Sequence, residues 1–266
     1  MNTEQINTFY FSPTGTTETI LNNLAANFPA VKICNFNLTL PGTSNKPEPI
    51  DSSSLSIVGM PVYSGRLPME AIRRFETING NQSLAIVIVV YGNREFDDAL
   101  LELTELAQKA NFRVIAAAAF VGEHSYSTTD RPIAHSRPDQ QDLNHIATFA
   151  DLVRKKLDET ELKNAASTIQ VPGNRPFVER KQYPLIIPET SHADCTQCGL
   201  CVECCPTGAI NLEDEIVTDP EKCIWCCACV KKCPEQARHF DHEIIQSIRE
   251  RLFTNCRERK EPQFYL

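Results

Sequence analysis

Ten cysteines lie close together in the second half of the 266-residue chain, and their spacing is its strongest chemical signal. Eight of them form two copies of the pattern C-x2-C-x2-C-x3-C-P, the second copy starting 28 residues after the first. They are Cys195, Cys198, Cys201, Cys205, Cys223, Cys226, Cys229 and Cys233. Thiolates at this spacing bind metals, either as iron–sulfur clusters or as zinc sites.

The two copies predict two clusters that exchange one ligand each. Three thiolates spaced two residues apart surround one face of a cubane, and the cysteine before proline ligates the other cluster. The first predicted ligand set is Cys195, Cys198, Cys201 and Cys233. The second is Cys223, Cys226, Cys229 and Cys205. Zinc commonly takes four ligands from two C-x2-C pairs, so the repeat favours two 4Fe–4S clusters over zinc.

The remaining cysteines fall outside this repeat. Cys204 and Cys227 adjoin predicted ligands, and we expect them to be small buried hydrophobic residues, with a ligand exchange or redox role as the alternative. Cys34 and Cys256 are expected to be structural. Trp225, the single tryptophan, lies inside the second copy and is expected to pack beside a cluster.

Residues 1 to about 158 alternate apolar runs with helical patterns, which predicts a doubly wound five-stranded parallel sheet of the α/β class. The predicted strands are Asn7–Phe11, Ala30–Cys34, Leu55–Gly59, Leu84–Tyr91 and Arg113–Val121. The predicted helices are Gly15–Phe28, Phe96–Ala110 and Asp139–Leu157. Such a sheet binds ligands beyond the carboxyl ends of its strands.

The loop after the first strand, 12–17, combines hydroxyl groups with a helix start, which suits an anion. It has neither the three glycines of a dinucleotide loop nor the Gly-Lys-Ser/Thr of a nucleotide P-loop. The loop resembles the flavodoxin pattern T/S-x-T-G-x-T at Ser12, Thr14, Gly15 and Thr17, which implies the phosphate of FMN. A hydroxyl-capped helix without ligand is the alternative.

Two further loops, 59–66 and 91–96, follow the third and fourth strands, and the resemblance implies that they flank the flavin ring. Tyr63 and Phe96 are the expected stacking residues, and Gly92 and Asn93 are expected to offer backbone contacts. The predicted FMN-binding residues are Ser12, Thr14, Gly15, Thr16, Thr17, Pro61, Val62, Tyr63, Ser64, Gly65, Tyr91, Gly92, Asn93, Arg94 and Phe96.

The fifth strand leads into His124 and a long loop, 127–138, which we expect to overhang the same end of the sheet. His124 is the candidate catalytic residue, as a proton donor to reduced flavin or substrate. The alternative is a hydrogen-bonded loop histidine.

The whole chain resembles the flavodoxin–ferredoxin fusion family, found mostly in anaerobic microbes. The resemblance implies FMN, two 4Fe–4S clusters, a cytoplasmic location and electron transfer. The expected organisation is a flavodoxin-like domain at 1–160, a proline-rich connector at 161–188 and a small α+β ferredoxin-like domain at 189–240. A helix and tail at 241–266 are expected to close the chain.

Composition excludes several other classes. The net charge of −8 argues against nucleic acid as a partner, because phosphate binding needs clustered Lys and Arg. The longest apolar runs are too short for a membrane helix, and the polar start gives no secretory signal. The sequence does not predict an oligomeric state.

The sequence therefore predicts electron transfer between the clusters and FMN, with a redox protein or a small-molecule acceptor as partner. The alternative is an FMN-dependent reductase that uses the clusters as an electron wire. A third hypothesis keeps the clusters but makes the first domain a ligand-binding domain without flavin. Direct use of NAD(P)H is not expected, because no nicotinamide fingerprint is present.

Overall fold

Five parallel strands form the centre of the first half in the computed structural model, which describes residues 3–42, 49–158 and 169–266. They are β1 (Thr3–Tyr10), β2 (Ala30–Asn37), β3 (Leu55–Pro61), β4 (Leu84–Tyr91) and β5 (Arg113–Val121). Their order, β2-β1-β3-β4-β5, is that of the flavodoxin-like doubly wound fold. The predicted fold class is confirmed.

Helices cover both faces of this sheet. They are α1 (Thr16–Ala26), α2 (Met69–Phe75), α3 (Ala99–Lys109) and α4 (Gln140–Asp158). Helices α1 and α4 pack with one apolar cluster and α2 and α3 with the other. Strand β4 contributes alternate residues to the two clusters, which explains its unbroken apolar sequence.

The sheet contains a sixth strand that corrects the expectation of five. Strand β10 (Gln263–Tyr265) pairs antiparallel with β5, so that Phe264 lies opposite Ala118. The chain therefore passes through the cysteine-rich half and returns to the first half. Strand β10 covers the edge of β5, an apolar strand that would otherwise expose a pairing edge.

The cysteine-rich half is built from small elements that repeat. They are β6 (Glu189–Thr190), α5 (Leu200–Glu203), β7 (Ile210–Leu212), β8 (Ile216–Thr218), α6 (Ala228–Lys231) and β9 (Arg238–His239). Helix α6 follows α5 by 28 residues, as β8 follows β6 and β9 follows β7. Strand β6 pairs with β9 and β7 with β8, so each pair joins one copy to the other. The longer helix α7 (Glu243–Asn255) follows, within the predicted closing helix.

The repeat extends to the backbone angles. Three pairs of residues 28 apart have a positive φ: Gln197 and Trp225, Gly199 and Cys227, and Gly208 and Gln236. Cys227 thus occupies the position that Gly199 has in the first copy, directly before the short helix. Its side chain is buried, as expected for a small hydrophobic residue.

No helix in the part of the chain that the structure describes is both long enough and apolar enough to cross a membrane. The first part of the predicted connector, 161–168, lies outside the described residues.

Candidate functional site

A cavity of about 490 Å³ lies where β1, β3, β4 and β5 end, and we call it the central cavity. This is the edge of the sheet where a doubly wound fold binds its ligand. Twelve of the fifteen predicted FMN-binding residues line the central cavity. They are Ser12, Thr14, Thr16, Thr17, Pro61, Val62, Tyr63, Ser64, Gly65, Tyr91, Gly92 and Arg94.

The loop 12–17 caps the start of α1 and also lines the central cavity. The Ser12 hydroxyl accepts a hydrogen bond from the Glu18 N–H at 3.1 Å, so Ser12 serves the capping role. Gly15 has a φ of 89° and precedes α1 directly. Thr14, Thr16 and Thr17 line the central cavity beside this helix start. The dipole and the hydroxyls together favour an anion at this end of the cavity.

The loop after β3 is a tight turn that places Tyr63. Tyr63 and Arg66 exchange two backbone hydrogen bonds of 2.8 and 3.1 Å, and the two residues between them have positive φ. Gly65 is required there, because an added Cβ would lie 2.3 Å from the Asp97 carboxylate. Tyr63 packs against the buried cysteines of the second half while lining the central cavity. Burial raises its pKa well above the usual value.

The structure corrects one predicted flavin contact, Phe96, and shows a structural role for the side chain of another predicted residue, Asn93. Phe96 is 3% exposed and packs against Tyr91 in the core below the cavity, so it is not a stacking residue. Asn93 is buried, and its side chain bonds the carbonyls of Cys256 and Glu258 and the N–H of Lys260. Asn93 therefore holds the returning C-terminal segment. Neither residue, nor Gly15, is among those lining the cavity.

His124 lines the central cavity as a neutral side chain. Its Nδ1 accepts a hydrogen bond from the Tyr126 N–H at 3.0 Å. Burial lowers the pKa of His124 to about 4, and the charges of Lys231 and Arg94 add to this shift. The ring is thus uncharged at neutral pH, with its proton on Nε2. The Nδ1 contact is that of a hydrogen-bonded loop histidine, and the catalytic role of His124 stays a prediction.

The opposite wall of the central cavity comes from segments that the sequence did not assign to it. They are the end of the connector, the second cysteine loop and α7, with Lys181, Gln182, Tyr183, Pro184, Ile224, Trp225, Ile244, Ile248, Arg251 and Leu252. Trp225 donates its indole N–H to the Ile186 carbonyl at 2.9 Å and packs against Tyr183. In the sequence, the single tryptophan inside a cysteine motif was the feature that could have indicated this wall.

The described part of the connector, 169–188, is fixed along the first half. Asp98 is fully buried and accepts three hydrogen bonds from it, two from Asn174 and one from the Val178 N–H at 2.7 Å. Arg180 binds the Leu67 carbonyl and the Glu102 carboxylate. These contacts set the position of Tyr183 and the rest of the cavity wall.

Further contacts join the two halves beside the cavity. Lys231, on α6, donates to the Glu123 carboxylate and to the Ser127 carbonyl, both at 2.7 Å. Arg249, on α7, donates to the Tyr126 carbonyl at 3.1 Å. The loop 127–138, expected to overhang the site, and the residues just before it are thus held against the cysteine-rich half.

Two smaller cavities lie inside the cysteine-rich half, and each is lined by one predicted ligand set. The first cysteine cavity is lined by Cys195, Cys198, Cys201 and Cys233. The second cysteine cavity is lined by Cys205, Cys223, Cys226 and Cys229, with Cys227 beside them. Each group therefore contains a fourth cysteine from the other copy. Among the residues described, no three His, Cys, Asp or Glu side chains are placed to hold a single metal ion.

Backbone N–H groups point at the fourth cysteine of each copy. Ala209 donates to Cys205 Sγ at 3.2 Å, and Ala237 donates to Cys233 Sγ at 3.3 Å. Such donors stabilise a thiolate and tune a cluster that it binds. Cys204 is buried, lies outside both cavities, and directs its Sγ to the Cys201 carbonyl at 3.7 Å.

The second cysteine cavity adjoins the central cavity. Ile224 lines both of them, so the two spaces are neighbours. The first cysteine cavity lies toward solvent, since Cys198 is exposed. The three cavities thus form a series from the surface to the end of the sheet.

No family model and no curated protein sequence matches the chain. Similar solved structures include a Streptococcus pneumonia TIGR4 flavodoxin, with 15% identity, a TM-score of 0.39, and coverage of 57% of this chain and 99% of that one. A Fusobacterium nucleatum flavodoxin bound to flavin mononucleotide has 15% identity and a TM-score of 0.39, with coverage of 57% of this chain and 98% of that one.

Rubredoxin oxygen:oxidoreductase from Desulfovibrio gigas is also similar, with 15% identity, a TM-score of 0.40 and coverage of 59% of this chain. The chain spans only 38% of that protein. The flavodoxin-like assignment rests on the strand order of the sheet.

Proposed function

We propose that this chain is an electron-transfer flavoprotein that moves electrons between two 4Fe–4S clusters and FMN. The observation that carries the proposal is the series of three cavities, in which Ile224 lines both the central and the second cysteine cavity. When bound, FMN exchanges two electrons and each cluster one, so a single chain can couple one-electron and two-electron partners.

The residues of the central cavity fit FMN. The hydroxyls of Thr14, Thr16 and Thr17 lie at the start of α1, where a helix attracts a phosphate. Tyr63 lines the cavity from the β3 loop and would cover the ring on the side of the cysteines. The volume of about 490 Å³ lies within the range of cofactor sites, roughly 300–1,000 Å³.

The cysteine cavities fit cubane clusters. Each is lined by three cysteines of one copy and the proline-preceding cysteine of the other, which is the ligand exchange of two-cluster ferredoxins. The first cysteine cavity, next to exposed Cys198, is the proposed entry for electrons from a redox protein. Asp98 binds the connector to the first half and Lys231 joins the cysteine-rich half to it, so these contacts would keep the proposed cofactor sites at a fixed separation.

The first experiment is an anaerobic reductive titration of the full chain, with iron and flavin quantified and followed by absorbance and electron paramagnetic resonance. The expected composition is about eight irons and one FMN per chain. Iron without flavin would support the third hypothesis, a domain that binds another ligand. A chain that holds zinc and no iron would refute the cluster assignment.

A pair of adjacent cysteines provides a matched test of ligation. Cys205 lines the second cysteine cavity, whereas Cys204 lines neither, although both are buried. Cys205→Ser is expected to remove or degrade one cluster, lowering iron from about eight toward four per chain. Cys204→Ser is expected to keep all the iron. Equal iron contents in the two variants would contradict the proposed ligand set.

A reductase of a small molecule is the second candidate. Lys181 and Arg251 line the central cavity and form no hydrogen bond or ion pair with another described residue, which suits an anionic acceptor. Saturable reoxidation of the reduced protein by small organic anions, lost in Arg251→Gln, would support this candidate. Reoxidation rates that rise linearly with acceptor concentration for every small anion tried would argue against the reductase and favour the electron-carrier function.

A further inference from the structure

Arg238 is a buried arginine between the two cysteine cavities. Arg238 is 3% exposed and lines the first cysteine cavity. One of its terminal nitrogens lies 3.7 Å from the Sγ of Cys229, a predicted ligand of the second cluster. Its Nε–H has no hydrogen-bond partner within the described part of the chain. The same side chain therefore lines the first cysteine cavity and contacts a cysteine of the second ligand set.

The repeat explains this central position. Arg238 donates to the hydroxyls of Thr190 and Thr218, two threonines 28 residues apart that occupy equivalent places in the two copies. Its own equivalent in the first copy is Ile210, which is equally buried and lines the second cysteine cavity. One copy thus places an aliphatic side chain where the other places a cation.

The charge of Arg238 has no anionic partner in the described protein. Its side-chain hydrogen-bond partners are two hydroxyls and a sulfur, and no Asp or Glu in the described part of the chain forms an ion pair with it. A buried cation without an anionic partner destabilises the folded protein. Thiolate-ligated clusters carry the negative charge that would balance it.

Resting on the proposed function, we propose that Arg238 is the residue that raises the reduction potentials of both 4Fe–4S clusters. Its charge stabilises an added electron on either side of it, and its N–H groups donate to sulfurs of both. The free Nε–H is assigned to a sulfur in the first cysteine cavity. Arg238 transfers no electron itself.

The guanidinium lies beside cysteines of both predicted ligand sets. Arg238 lines the first cysteine cavity together with Cys201. Cys229, which lines the second cysteine cavity, has its Sγ 3.7 Å from a terminal nitrogen of Arg238. One cation is thus placed next to both sets.

The test compares Arg238→Ile with the wild type. Isoleucine is the residue that the first copy has at this place, so the variant introduces an apolar side chain that fits the equivalent position of the repeat. The expected result is that both cluster midpoints move to more negative potentials. The expected size is about tenfold in the one-electron equilibrium constant, or about 59 mV.

Two control variants isolate the buried charge. Arg238→Lys keeps a cation and is expected to restore at least part of the shift. Lys222→Gln removes an exposed cation of the same half, whose side chain is 58% exposed, and is expected to leave both midpoints nearly unchanged.

If Arg238→Ile does not assemble its clusters, a measurement on the wild-type protein tests the proposal instead. Wild-type protein labelled with guanidino-15N arginine is reduced and examined by pulsed electron paramagnetic resonance. Coupling of 15N to the cluster spin is expected, and its absence would overturn the proposal. The proposal would also be overturned if Arg238→Ile protein kept all its iron and showed unchanged midpoint potentials of both clusters. Wild-type protein without iron would instead refute the proposed function.

Discussion

The substitution Asp98→Asn tests whether the connector is held by the contacts that the structure shows. One oxygen of Asp98 accepts from the N–H and the side-chain amide of Asn174 at 2.9 and 2.8 Å. The other accepts from the Val178 N–H at 2.7 Å. An asparagine can keep the first two bonds as neutral ones, but it places an NH₂ group against the Val178 N–H.

The magnitude follows from these three bonds. Hydrogen bonds to an ionised group contribute about 1.5–3 kcal/mol each, and neutral ones about 0.5–1.5. Weakening two and losing the third, partly offset by the lower cost of burying an amide, lowers the free energy of unfolding by about 3 kcal/mol. For a chain of this size that corresponds to a fall in Tm of about 6–12 °C.

The assay is calorimetry of the holoprotein at one scan rate, with Glu105→Gln as the control. Glu105 pairs with Arg175 on the same connector, but both side chains are exposed, so its loss is expected to change stability by less than about 1 kcal/mol. Equal Tm values for the two variants would refute the reasoning, because the buried and exposed contacts would then be equivalent.

The pH dependence of this effect has a defined sign. Burial alone would raise the pKa of Asp98, but the hydrogen bonds from Val178 and Asn174, with the charge of Arg66, hold it below its usual value. A depressed pKa gives stability that is present above about pH 4 and lost as the pH falls through the folded value. The difference between wild type and Asp98→Asn is therefore constant from pH 5 to 8 and shrinks in acid.

Two further predictions concern the loops around the central cavity. Asn93→Ala removes the side chain that bonds Cys256, Glu258 and Lys260, so amide exchange at 256–265 is expected to rise at least tenfold, and unchanged exchange would contradict this anchoring role. His124 has a folded pKa of about 4 against about 6.5 when unfolded, so wild-type stability is expected to fall as the pH drops from 6.5 to 4. His124→Gln is expected to lack this component, and equal slopes in that range would contradict the buried neutral ring.

The sequence predicted the strands best where burial is complete. The observed bounds of β4 and β5 equal the predicted ones, because both faces of each strand pack on apolar clusters. Helix α2 was not predicted, since its seven residues provide less than two full periods and include Arg73 and Arg74. Strand β10 has three residues and exists through its pairing with β5, which no local pattern records.

The candidate site was predicted in part for a similar reason. The loops after β1, β3 and β4 follow from the topology of a doubly wound sheet. Phe96 was misplaced because the chain turns at Asn93 and Asp97, both with positive φ, and directs the ring into the core. The opposite wall depends on how α7 and the connector pack, which is a property of the tertiary structure.

The late position of β10 has a consequence for biosynthesis. Strand β10 follows the cysteine-rich half in the chain, so the edge of β5 cannot be covered until that half has left the ribosome. A nascent chain that stalls before this point presents an open apolar edge, the kind of surface that chaperones and proteases recognise. Completion of the sheet therefore requires that the cysteine-rich half has been made in full.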